Sequence, residues 1–379
     1  MTKLSVLMAC YRQEKYVAEA IDSVLNNINY DWADAELILW DDASPDGTWG
    51  ILEDYARRYP DIIRLHRSEE NMGVAATAAA MVNAASGRYI MMFDHDDVLL
   101  PFDMSGELRF LDNNPEYVAS YGRKQLFNEK EGLLGSSLGG PFSDFNLIYQ
   151  PPLNNNAMIM RRESVLKAGN FQSTPQGKVS GAADVFMWLR LRLIGQFRFD
   201  MSFRVLHRVH PGQVTSRINH SEVYTRDYGF FMKYVSNLIP GVEARLRKGE
   251  SFMVLPEKRY LVLILLGGMI RNTENAKEIE SYLYYASQLA PKDNYIDCKI
   301  AEFIMAKGNY SDALIRFVNM IYKYPDLYNQ MQIASWLKQI YIKLNMSEKD
   351  VVLGGMRISD EFFKLTPAAV KVLAGIRKY

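Results

Sequence analysis

The chain has 379 residues, 48% hydrophobic and 23% charged, with 44 basic and 44 acidic side chains and a formal net charge of zero. This composition is globular and long enough for two or three cores, which excludes a disordered chain. No global field points toward nucleic acid or another polyanion as partner. In chain order, a first strand is expected over Lys3–Ala9, a helix over Tyr16–Asn27 and a second strand over Glu36–Trp40. The polar loop Asp41–Gly47 leads to a helix over Thr48–Tyr59, a strand over Ile62–Leu65, and a second polar loop, Glu69–Gly73. An alanine-rich helix over Val74–Ala85 can approach a sheet closely and is broken by Gly87 before a strand over Tyr89–Phe93. Strands alternating with amphipathic helices are the pattern of a parallel sheet flanked by helices, an α/β fold. In such sheets ligands bind outside the carboxyl ends of the strands, where these polar loops fall.

Glycine, proline and asparagine are frequent from Ala119 to Arg162, so loops are expected to dominate there. Val185, Trp188, Leu189 and Leu193 recur at helical spacing within Ala182–Ile194, and a strand over Phe197–Val209 runs into His210-Pro211-Gly212. Past His220 the pattern is helical to the end, which places a domain boundary near 220–240 and divides the chain into 1–220 and 221–379. Gly308, Tyr310, Ala313, Phe317 and Pro325 stand at tetratricopeptide-like offsets, giving one such unit around 292–325. A single unit cannot bury its own face and must pack on neighbouring helices. The apolar run Tyr260–Ile270 is too short to span a bilayer and reads as a buried helix. Cys10 and Cys298 have no metal-ligand spacing and suit a reducing compartment as structural thiols. With no signal-like leader before the first strand, a cytoplasmic location is expected.

The tetrad Asp94-His95-Asp96-Asp97 follows the Tyr89 strand directly. Three carboxylates in four residues repel one another unless a cation or a proton removes the excess charge. A divalent ion carrying a diphosphate would do so, since hard cations of the Mg²⁺ type favour one or two carboxylates plus phosphate oxygens. The alternative is an acidic turn that merely ends a strand.

Several segments together resemble family 2 glycosyltransferases over residues 3–216. They are Ser5–Tyr11, Asp41-Asp42-Ala43-Ser44-Pro45-Asp46-Gly47-Thr48, Asn71-Met72-Gly73, Gly87–Asp97, Ala183-Asp184 with Trp188-Leu189-Arg190, and Arg208–Gly212. The resemblance implies a GT-A fold, a mixed and mostly parallel sheet flanked by helices, here joined to an all-helical C-terminal domain. It also implies inverting transfer of a sugar from a nucleotide-diphosphate donor, commonly a UDP-sugar, to a hydroxyl of a saccharide or glycoconjugate acceptor, with Mn²⁺ or Mg²⁺ as cofactor. By the same resemblance Ala9, Tyr11, Asp41 and Asn71 frame the nucleotide and Asp94 serves the ribose. Asp96 and His210 hold the metal, Arg208 faces phosphate oxygens, and Asp97 orients the loop. His207 is expected to be an exposed strand residue. Asp184 is the candidate general base, with helix N-capping as the alternative. Asn156, Met158 and Trp188 are candidates to line an acceptor cleft, with core packing the alternative for Trp188.

The chain departs from many family members in having Ala183 where they carry glutamate and Ala78-Ala79 where they carry Arg-Asn. A catalytically silent nucleotide-sugar scaffold with a helical interaction domain is therefore a second reading. A nucleotidyltransferase is disfavoured, because no glycine-rich loop with a basic residue stands near the N-terminus. The neutral helical region is compatible with a protein partner, self-association or peripheral contact with the inner face of a membrane.

Overall fold

The computed structural model describes residues 3–26, 32–149, 153–171, 183–213, 233, 237–238, 241–248, 258–271, 273–323, 333–344, 352–353 and 356–357. The chain divides into two compact units, residues 1–142 with 151–231, and residues 143–150 with 232–379.

In the first unit the order is β1 (Leu4–Cys10), α1 (Val17–Leu25), β2 (Ala35–Asp41), α2 (Thr48–Arg58), β3 (Ile63–Arg67), α3 (Val74–Ala84) and β4 (Tyr89–Met92). Then come β5 (Val98–Leu99), α4 (Met104–Asn113), β6 (Tyr117–Asn128) and β7 (Gly132–Leu138). The short α5 (Asn146–Tyr149) belongs to the second unit, after which β8 (Ile159–Arg161), α6 (Arg162–Lys167), α7 (Ala183–Arg192) and β9 (Gln196–Arg208) complete the first. The strands form one nine-stranded sheet in the order β3-β2-β1-β4-β8-β6-β9-β5, with β7 beside β6. β1 to β4 run parallel, β8 is antiparallel to β4 and β6, β9 is parallel to β6, and β5 is antiparallel to β9.

The chain steps outward from β1 to β2 and β3, then returns to lay β4 on the other side of β1. That reversal is a topological switch point at the carboxyl ends of β1 and β4, the usual ligand position in open α/β sheets. β1 and β2 are covered on both faces and so read as nearly continuous apolar runs. Their core includes Leu4, Val6, Met8, Leu37, Leu39 and Met91, packed with Val17, Ile21 and Val24 of α1 and Leu52 of α2.

At the other end of these strands a buried carboxylate fixes their alignment. Glu36 Oε1 accepts from Ser5 Oγ at 2.6 Å and from both the N–H and the Oγ of Ser86 at 2.8 Å. Burial alone would raise the Glu36 pKa, but these donors and the charge of Arg64 outweigh it and hold it low. Gly87 passes so close that a Cβ there would lie 2.6 Å from the Ser5 nitrogen.

The main departure from the sequence expectation is the stretch from Ala119 to Arg162, which holds strands β6, β7 and β8 rather than mostly loops. β6 lies between β8 and β9, and its first half is continuously buried while its second half carries Arg123, Lys124 and Gln125. It therefore lacks the two-residue alternation by which a strand is recognised.

The second unit contains α5, α8 (Val242–Arg247), α9 (Arg259–Arg271), α10 (Ala276–Leu289), α11 (Asn294–Ala306), α12 (Tyr310–Lys323) and α13 (Ile333–Lys343). It is not helical throughout, because β10 (Val352–Leu353) pairs antiparallel with β11 (Met356–Arg357). Leu261 to Ile270 of α9 are all buried, and Gly267 lets the helix meet α5 closely, since a Cβ there would lie 1.9 Å from the Phe145 carbonyl oxygen. The apolar run is thus a core helix. Among the described residues no helix is long and apolar enough to cross a membrane. α11 and α12 are joined through Gly308 at φ 82°, and Ala313 and Phe317 are buried. Pro325, the last position of the tetratricopeptide-like pattern, lies outside the described residues.

Replacing Gly87 by alanine should lower stability by about 1–3 kcal/mol, because the clash is with backbone that cannot rotate away. Urea denaturation checks this, and an unchanged midpoint would contradict the packing described.

Candidate active site

The carboxyl ends of β1, β2 and β4 lie side by side at this edge of the sheet. β1 ends at Cys10, followed by half-buried Tyr11 and by Arg12 at φ 57°, whose guanidinium lies 5.3 Å from the Tyr11 ring centre. β2 ends at Asp41, which is 0% exposed, accepts from the Ser44 N–H at 3.2 Å and pairs with Arg67 Nε at 3.1 Å. The Arg67 guanidinium also lies 4.7 Å from the centre of the Trp49 ring. Next to it, Asp42 accepts from the N–H groups of Met72 and Gly73 at 2.9 and 3.0 Å, which anchors the loop before α3.

Beyond β4 the three tetrad carboxylates have separate fates. Asp97 is buried and accepts from the Arg208 N–H at 2.9 Å, from His207 Nδ1 at 2.8 Å and from the Asn156 amide. Asp96 Oδ2 meets His210 Nε2 at 3.0 Å. His210 Nδ1 accepts the Gly212 N–H, so the ring proton sits on Nε2 and is donated to Asp96. Burial works to raise the Asp96 pKa, but the neighbouring histidines, first His95 and then His210 and His207, bring it below the ordinary value. Asp94 keeps access to solvent at the mouth, yet its carboxyl is crowded by protein. Burial, followed by the charges of Asp97 and Asp96, pushes its pKa up to about 6. His95 donates from Nδ1 to the Ala9 carbonyl, a contact that fixes its tautomer and ties the tetrad to β1.

At the start of α7, Asp184 is half-buried and accepts from the Val185 N–H at 2.8 Å. Burial raises its pKa, opposed by that N–H and by the charge of Lys124. A carboxylate shifted in this direction is a stronger base.

Residues 5–168 match the sequence profile described as glycosyl transferase family 2. EpsE of Bacillus subtilis (strain 168), named as a glycosyltransferase, is 30% identical over 189 residues, covering 50% of this chain and 66% of that protein. The minor teichoic acid biosynthesis protein GgaB of the same organism is 34% identical over 114 residues, covering 30% of this chain but 12% of GgaB. The chain thus spans just under two thirds of EpsE and a small part of GgaB. In fold it is similar to S. aureus TarS 1–349, solved in complex with UDP-GlcNAc, with a TM-score of 0.52 at 15% identity, covering 93% of this chain and 95% of that one. Residues 5–168 are thus a family 2 glycosyltransferase domain.

The sheet of this glycosyltransferase domain, flanked by helices, is the GT-A fold. It brings Asp96 and His210 together across 114 residues. Ala9 and Tyr11 lie at the end of β1, and Asn71 is exposed at the loop before α3, its amide 3.4 Å from the Asp42 carbonyl oxygen.

Several sequence expectations require correction. Arg208 does not present an open fork to phosphate. Its Nη1 pairs with Glu129 at 3.0 Å, its Nη2 with Glu19, and its Nε donates to the Asp96 carbonyl, while the rings of Tyr16 and Phe127 flank it. It is a pin between α1, the β6–β7 turn and the tetrad. His207 is held by Asp97 rather than exposed. Asn156 and Met158, 2% and 0% exposed, do not line an acceptor cleft. The Asn156 amide spans from the Asp94 N–H to the Asp97 carboxylate and so shapes the tetrad, and Met158 is core. Trp188 is 3% exposed on a helix buried on nearly every side, so its size and phase serve packing. Asp41 is fully buried and its carboxylate is already paired with Arg67, so it does not stand open at the strand end. Sequence reasoning passed over Arg67 and the structural role of Asn156, since neither belongs to a motif of recognisable spacing.

The raised pKa of Asp94 carries a stability consequence. The stabilisation from its protonated form is fully present below the unfolded value near 3.8 and is lost as pH rises through about 6. In metal-free protein, Asp94→Asn should therefore be more stable than wild type at pH 7, with the difference vanishing below about pH 4. Thermal melts across pH 4–8 check this, and an Asn variant equal to or weaker than wild type at pH 7 would contradict it.

Proposed function

We propose that the chain is a metal-dependent, inverting glycosyltransferase that moves a sugar from a UDP-sugar to a hydroxyl of a saccharide or glycoconjugate acceptor. The observation that carries this is the meeting of Asp96 and His210 beside an open Asp94 at the sheet's topological switch point. Among the described residues no group of three or more His, Cys, Asp or Glu side chains is disposed to hold a metal. The set of one carboxylate and one imidazole nevertheless fits Mn²⁺ or Mg²⁺ when phosphate oxygens and water complete the sphere. Asp96 and His210 would hold the ion, His210 giving up its Nε2 proton to do so, and the ion would act as a Lewis acid on the departing diphosphate. The UDP-GlcNAc complex of TarS and the teichoic acid role in the name of GgaB support the donor and polymer classes.

The residues of the chain then divide the work. Ala9 and Tyr11 border the base, Asp41 receives a ring N–H once Arg67 moves, and Asn71 lies at the same edge. Asp94 accepts from the ribose. Asp184 removes the proton of the acceptor hydroxyl as that oxygen attacks the anomeric carbon from the face opposite the diphosphate. A cytoplasmic location is part of this proposal, as is a role for the helical unit in protein contact, self-association or peripheral membrane contact.

The occupied fork of Arg208 and the alanine at 183 favour a second reading, a nucleotide-sugar binder without turnover. One variant separates the two. Asp184→Asn should retain UDP binding in calorimetry with Mn²⁺ while transfer or donor hydrolysis falls on the order of 10²-fold or more. Undiminished turnover removes Asp184 from the role of base, and a wild-type chain that binds UDP but turns over no donor supports the second reading.

A further inference from the structure

Asp96 is held at two points, and both lead to one aromatic ring. Its carbonyl accepts from Arg208 Nε at 2.9 Å, and its Oδ2 meets His210 Nε2 at 3.0 Å. The Arg208 guanidinium lies 4.5 Å from the centre of the Tyr16 ring. The centres of the His210 and Tyr16 rings are 4.8 Å apart, at an interplanar angle of 55°. Tyr16 therefore touches the two side chains that fix the main chain and the carboxylate of Asp96.

The ring is itself immobilised. Tyr16 is 8% exposed and stands directly before α1, its N–H donating to the Gln13 carbonyl and its carbonyl accepting from the Ala20 N–H, each at 3.1 Å. The helix is anchored in the core through Val17, Ala20, Ile21 and Val24. From the outer side, Lys15 Nζ lies 4.5 Å from the ring centre and donates to the Tyr16 hydroxyl at 2.8 Å. Lys15 also pairs at 2.9 Å with Glu129, the glutamate that engages Arg208.

The imidazole is secured less firmly. His210 follows the end of β9, and its Nδ1 is engaged by Gly212 of its own turn. Its bond to Asp96 is the one that a shared ion displaces, because the Nε2 proton occupies the position the ion would take. Once that bond is gone, the contact with Tyr16 remains to keep the ring beside Asp96. A tilted pair at this separation is favourable, and an imidazole on a divalent ion carries more positive charge, which an aromatic neighbour favours further.

Building on the glycosyltransferase reading, we propose that Tyr16 is a positioning residue: its ring, braced by α1 and Lys15, keeps the His210 imidazole beside Asp96 so that the two side chains can share one divalent ion. It acts through His210, not on the reacting atoms.

The test uses the full chain and reads Mn²⁺ affinity in the presence of UDP, from the free-ion signal in electron paramagnetic resonance. Tyr16→Leu should weaken Mn²⁺ binding about tenfold or more, whereas Tyr16→Phe, which keeps the ring and loses the Lys15 hydrogen bond, should stay within about threefold of wild type. A His210→Gln background separates positioning from a general loss of structure: there Tyr16→Leu should change Mn²⁺ affinity less than about twofold. Tyr16→Met serves the same comparison where the leucine variant lacks the wild-type thermal transition. Wild-type affinity in Tyr16→Leu or Tyr16→Met, a loss of equal size with and without His210, or Tyr16→Phe as weak as Tyr16→Leu overturns the proposal while leaving the parent reading intact. A wild-type chain that takes up no Mn²⁺ with UDP overturns both.

Discussion

The site depends on how three neighbouring carboxylates are kept apart in purpose. Their mutual repulsion would disperse the tetrad if all were left alike. Asp97 is neutralised inside the protein by the Arg208 N–H, His207 and the Asn156 amide, and becomes a structural hub. Asp96 is balanced by the Nε2 proton of His210, which a cation held by both side chains can replace. Asp94 makes no side-chain hydrogen bond or ion pair among the described residues, and burial with the charges of Asp97 and Asp96 lets its carboxyl hold its proton to about pH 6. One anchored, one exchangeable and one unpaired carboxylate make a site in which negative charge is stored until a cation and a phosphate arrive.

The parallel half of the sheet was legible in sequence because β1, β2 and β4 are apolar runs ending in polar loops, and each loop has a backbone reason for its residues. Asp42 shows this: its carboxylate binds two consecutive N–H groups at the loop before α3. The antiparallel half was not legible. β6 is buried through Tyr121 and then carries basic and amide side chains, so it shows neither the alternation of a one-sided strand nor a pure apolar run. In the second unit α9 is legible as an apolar run, and Gly267 within it is what allows the close approach of Phe145.

Site residues divide along the same line. Asp96 and His210 belong to motifs whose residue types carry chemistry, and the fold brings them together. Arg208 belongs to a motif too, but its role depends on Glu19 and Glu129, which are distant in sequence and invisible to any local pattern. Asn156 and Met158 precede the helix of Asp184 in sequence, but burial decides what they do. Residue type announces chemical capacity, and only packing shows whether that capacity is already consumed.

The central claim is that Asp96 and His210 grip one divalent ion in the presence of pyrophosphate, and pulsed electron paramagnetic resonance of Mn²⁺ bound together with UDP tests it most directly. The account predicts nitrogen modulation from a single coordinated imidazole, accompanied by phosphorus coupling, with the nitrogen signal lost in His210→Gln. Nitrogen modulation that survives this substitution, or bound Mn²⁺ with no imidazole coupling in the wild type, would contradict it.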